Sequence, residues 1–179
     1  LIPGRETLVE PVKPYENFPV SMVLFAVLVN ISIYALGVAV LSGFGKSAAA
    51  LYLFYCLGVE IHVMKMSCVD CYYYGKWCAL GRGKAAPLLF KQGDPKRFPS
   101  KCMSWKELLP DMLVVLVPLV GGTALLIQGF SWSMAMMLAA LLALCLGGNY
   151  LVRSRIACKY CKQRELGCPA EQFFGKQRA

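Results

Sequence analysis

The chain has a single histidine, His62, and only ten acidic residues against nineteen lysines and arginines. One histidine excludes most multi-histidine catalytic metal sites. No set of serine, histidine and acid suggests a hydrolase. The GRGK of residues 81–84 has neither the spacing of a phosphate-binding loop nor a strand before it. No C-x-x-C pair is followed by histidine, so covalent haem attachment is not indicated. The opening LIPGRETLVEP lacks the apolar stretch of a signal peptide. The first apolar run is too long for a signal core and reads as a retained anchor.

What the chain has is apolar length. Of its 179 residues, 58% are hydrophobic, which is high for a soluble domain. They gather in four runs, 18–41, 47–63, 112–130 and 132–152. A helix needs roughly 20 residues to cross a ~30 Å hydrocarbon core. The second run is the shortest and is interrupted by Glu60 and His62. Too little amphipathic sequence remains to cover four such runs in a soluble core. The expected fold is an all-α membrane protein with four transmembrane helices, arranged as two tandem helical hairpins.

Charge orients the expected spans. Nine of the nineteen basic residues fall between Lys65 and Lys106, and seven between Arg153 and Arg178. The two tight turns, LSGFGK and GFSWS, carry only Lys46. Short basic segments stay on the cytoplasmic side. The expectation is a multi-pass protein of a cell inner or cytoplasmic membrane, with both termini and the cysteine clusters cytoplasmic. Its expected divisions are an N-terminal segment (1–17), hairpin 1 (18–66), a basic cysteine-rich loop (67–109), hairpin 2 (110–152) and a basic cysteine-rich tail (153–179). The net charge of +9 mostly reflects this bias and suits anionic lipid headgroups; no nucleic acid partner is expected.

CVDCYYYGKWC, residues 68–78, and CKYCKQRELGC, residues 158–168, share the spacing C-x2-C-x6-C. The halves also share a GF turn: Gly43, Phe44, Ser47 and Ala49 match Gly129, Phe130, Ser133 and Ala135. Each half reads as helix, tight turn, helix, cysteine triplet. A parallel repeat has its axis along the membrane normal, which would bring both triplets to one cytoplasmic spot. Cysteines on the reducing side of the membrane favour metal or redox use over structural disulfides. Two thiolates two residues apart can chelate one metal from a tight turn. The third cysteine of each set adds a ligand, and Lys65, Lys76, Lys159, Lys162 and Arg164 would favour thiolate. Cys56 and Cys145, within apolar runs, read as small hydrophobes.

The doubled triplet resembles the six-cysteine binuclear zinc cluster of fungal transcription factors, in cysteine spacing only and over 22 residues. The resemblance implies two zinc ions. It implies Cys68 and Cys158 as bridging thiolates, with Cys71, Cys78, Cys161 and Cys168 completing the set. Here 79 residues separate the units, and YYYGKW replaces the family's basic DNA-contacting run, so DNA binding is not implied.

Other partitions stay open. Each triplet could hold its own ion, with Cys102 and an eighth ligand completing two sets of four; His62 is a conceivable ligand. One tetrathiolate site could form from Cys68, Cys71, Cys158 and Cys161. An iron–sulfur cluster competes with zinc, since thiolates hold both and Cys168-Pro169 echoes some ferredoxin motifs. Glu60 and His62 form a possible intramembrane polar site, because ionisable groups at that depth are costly. Cys56, Glu60 and Met64 share one helix face, with His62 pointing away. In the middle loop, PLLF (87–90) could dip into the interface or cap the cysteines. SWKELLPD reads as an interfacial lead into the third span, with Ser104 and Glu107 as a capping box. The tail EQFFGKQRA could lie on the membrane or on a partner.

The expected function is a structural or adaptor subunit of a membrane complex, its halves joined by a cysteine-bound metal centre and meeting lipids and a protein partner. The alternatives are an iron–sulfur electron-transfer subunit between a soluble donor and a membrane carrier, and a metal-ion handling protein. The chain is not expected to be an enzyme on its own, although it fits a redox complex as a subunit.

Overall fold

The computed structural model describes residues 13–99 and 105–168, and the regular elements among these are helices. The elements are α1 (Val20–Leu41), α2 (Lys46–Met66), α3 (Arg82–Leu89), α4 (Trp105–Gln128) and α5 (Trp132–Ala143). α5 continues through wide π-helical turns at Leu144–Gly148 and Leu151–Ala157. Four stretches are long and apolar enough to cross a membrane: Val20–Phe44, Lys46–Asp70, Leu108–Gln128 and Trp132–Ala157.

Pro19, with φ −57°, sets the entry to α1, and its carbonyl accepts from the amides of Met22 and Val23. α1 ends in a 3-10 turn, Ser42–Phe44. Gly45, at φ +120°, then reverses the chain into α2, a backbone conformation that L side chains rarely adopt. α1 packs against α2, α4 and α5 and so sits at the centre of the bundle.

The outer faces are not polar. Leu24, Phe25, Leu28 and Ile31 of α1 are exposed, as are Leu51, Phe54 and Leu57 of α2. Val120 and Ile127 of α4 and Met136 of α5 continue this coat. Helices apolar on all sides belong in a large protein's core or in lipid.

Between the helices, one backbone defect is filled. Pro118 lies inside α4 and has no N–H to give the carbonyl four residues earlier. That carbonyl belongs to Val114, and the Tyr52 hydroxyl of α2 donates to it at 2.6 Å. In a bilayer each backbone polar group needs such a partner.

α2 runs through Glu60 and His62 without a break, longer than the apolar run 47–63 suggests. The reason is a cation the sequence leaves far away. Arg82, at the start of α3, meets Glu60 with Nε to Oε2 at 2.6 Å and a second nitrogen to Oε1 at 2.7 Å. Asn30 Nδ2 donates to the same carboxylate at 2.9 Å, and the Tyr34 hydroxyl also donates to it.

Candidate cysteine centre

The first triplet is shaped by a chain of tight turns. α2 stops at Met66, and a 3-10 turn spans Cys68–Asp70. The Cys71 amide donates to the Cys68 carbonyl at 3.3 Å, and the Tyr74 amide to the Cys71 carbonyl at 3.0 Å. Further on, the Gly83 amide donates to Cys78 Sγ at 3.2 Å. No side chain fits at Gly83: a Cβ there would stand 2.4 Å from the Tyr73 carbonyl oxygen and 2.8 Å from that of Lys76. The second triplet follows the π-helical end of α5, where the Cys158 amide donates to the Arg153 carbonyl at 2.8 Å. The Arg164 amide donates to the Cys161 carbonyl at 3.2 Å, a turn like those of the first triplet.

The two triplets meet. The Tyr72 amide donates to Gln163 Oε1 at 2.8 Å. The Lys162 amide donates to the Tyr73 hydroxyl at 2.9 Å, and that hydroxyl donates to the Tyr15 carbonyl at 2.5 Å. Tyr15 pairs by backbone with the second triplet, its amide donating to the Tyr160 carbonyl at 2.9 Å. Tyr15 thus contacts both triplets. Phe18, Val23, Tyr73 and Ala79 are buried there, packed by Cys71, Cys78, Tyr160 and Cys161. The Tyr15 and Tyr160 rings stack with centroids 4.9 Å apart.

Burial pushes the Cys71 thiol up to about 11, and the neighbouring Cys68, Cys78 and Cys168 add to the rise. Burial likewise pushes Cys161 up to about 12, with Cys71 and Cys168 contributing. Among the described residues, no three His, Cys, Asp or Glu side chains converge closely enough to hold an ion.

The expected activation of these thiols by lysine is reversed at Cys71 and Cys161. Apolar surroundings outweigh the cations, which are directed elsewhere. Lys76 lies 4.0 Å from the Tyr72 ring centroid and Lys159 lies 5.3 Å from that of Tyr160. Lys162 contacts Tyr72 and pairs with Glu16 at 3.0 Å.

The other sequence candidates are placed as follows. His62 is exposed on α2, away from the buried face that carries Cys56 and Met64. Glu60 is held by Arg82, Asn30 and Tyr34. Cys56 is buried beside Tyr52 and Val59. Cys102, Ser104 and the tail EQFFGKQRA lie outside the described residues. Pro87, Leu88 and Leu89 of PLLF point outward from α3, with Leu88 85% exposed, and so do not cover the cysteines. Arg82 was missed because nothing local to GRGK links it to Glu60. Asn30 carried a readable signal, a lone amide inside VLVNISIY.

Comparison with protein-family models, with curated proteins and with solved structures finds no match.

Proposed function

We propose that this chain is a four-span membrane protein of two tandem hairpins, whose cysteine triplets bind metal together at the cytoplasmic face. Zinc is the metal the donor set favours, with two ions as the expected load. The centre joins the halves into a rigid platform for a protein partner in a membrane complex. One observation carries the reading: residues of both triplets, ninety positions apart in sequence, fold against each other around Tyr15 and Tyr73. Cys71 and Cys78 of the first triplet and Cys161 of the second pack against one shared cluster, and all-thiolate sets suit structural zinc. The charge bias supports a reducing compartment for them.

Metal binding would displace the protons that burial now favours, and its free energy would go directly into holding the cap together. The polar group at Glu60 serves as internal structure, since its carboxylate is already met by four donors.

Metal analysis with an optical spectrum of anaerobically purified protein tests this. Zinc without visible absorption supports the platform. Iron with acid-labile sulfide overturns it in favour of electron transfer.

A further inference from the structure

Beneath the cysteine cap, α1, α4 and α5 enclose a partly open cavity of about 310 Å³. It falls at the small end of the ~300–1,000 Å³ typical of ligand sites. Its two ends differ. Ile33, Val115, Leu119 and Cys145 line one end, deep within the apolar stretches. Arg82, Asp111, Asn149 and Arg153 line the other, near the cap.

The polar end is balanced in charge. Arg82 is neutralised by Glu60, and Arg153 lies 3.4 Å from Asp111. A net anion therefore gains no uncompensated cation here, and a cation gains no free carboxylate. The end is nonetheless rich in donors. A guanidinium has five N–H groups, and each ion pair engages only part of that set. The Asn149 side-chain amide makes no hydrogen bond with the rest of the described chain, although it sits half-buried in an apolar helix. An intramembrane amide without a partner is costly unless something meets it.

We infer that this cavity binds the head of an uncharged membrane amphiphile whose carbonyl oxygens accept from Asn149 and the two arginines, with its apolar tail leaving past Val115 and Leu119. The volume admits a compact head and the first carbons of a tail, not a whole lipid. Two sources offer that chemistry, a quinone with an isoprenoid tail and a glyceride ester. The inference does not depend on the metal, because the cavity lies outside the cysteine cluster.

The test uses the full chain in detergent, titrated with decylubiquinone, dioleoylglycerol and dioleoylphosphatidylglycerol. Saturable binding of either neutral probe is expected, at least tenfold tighter than that of the anionic lipid, and the tighter neutral probe identifies the source. Val115→Trp fills the deep end, and Asn149→Leu removes the amide. Binding is expected to weaken at least tenfold in each variant that keeps the wild-type helix content. Asn149→Leu guards against a Val115→Trp chain that fails to fold. No saturable binding of either neutral probe overturns the inference. So does equal or tighter binding of the anionic lipid, or unchanged affinity in both folded variants.

Discussion

The backbone amide of Lys162 donates to the hydroxyl of Tyr73 at 2.9 Å, tying the second cysteine triplet to the middle tyrosine of the first. The same hydroxyl donates to the Tyr15 carbonyl. Tyr73→Phe keeps the ring and removes both bonds, leaving an amide and a carbonyl unpaired in a buried place. The expected cost is about 1–3 kcal/mol. Hydrogen exchange checks it: protection should fall at residues 158–165 and hold in α1.

Gly83 has no room for a side chain. Gly83→Ala should push the loop off the Tyr73 carbonyl and break the amide contact to Cys78 Sγ. Lower metal content and faster alkylation of Cys78 are the expected results. Gly58→Ala, with open space around its Cβ position, is the control, and it should leave both unchanged.

Glu60 and Arg82 are each less than a quarter exposed, at 20% and 14% of their side chains. Removing one partner of such a pair leaves an uncompensated charge, at a cost of about 3–5 kcal/mol. Glu60→Gln and Arg82→Gln should each approach that figure in unfolding measurements. The double variant should cost less than the sum of the two. His62→Ala, at an exposed position, should stay within about 0.5 kcal/mol of the wild type.

Tyr52 and Pro118 form a second coupled pair. Tyr52→Phe strips the Val114 carbonyl of its donor and should destabilise by about 1–3 kcal/mol. Pro118→Ala restores an N–H to that carbonyl. In the Pro118→Ala background, Tyr52→Phe should therefore cost measurably less, and a double-mutant cycle reads the difference.

Much of the fold is legible in the sequence because hydropathy needs only composition over about 20 residues. The four apolar runs and both turns follow from it. The shortest run, interrupted by Glu60 and His62, is a full helix in which Arg82 meets Glu60, a contact across 22 positions. Periodicity cannot see such a pair. The tyrosines 72–74 carry no motif, yet each holds the cap: Tyr72 through Gln163, Tyr73 through Lys162 and Tyr15, and Tyr74 through the Phe90 carbonyl at 2.7 Å. Lysines near cysteines suggested activated thiols. That reading failed at Cys71 and Cys161, because proximity in sequence says nothing of burial.

The joint metal centre is tested most directly by zinc content after one triplet is removed. Zinc per chain should be measured in anaerobically purified wild type and in Cys158→Ser/Cys161→Ser/Cys168→Ser. If both triplets hold the metal together, the variant should lose all of its zinc while its helix content stays at the wild-type level. Retention of half the zinc would contradict a joint centre and leave each triplet with its own ion.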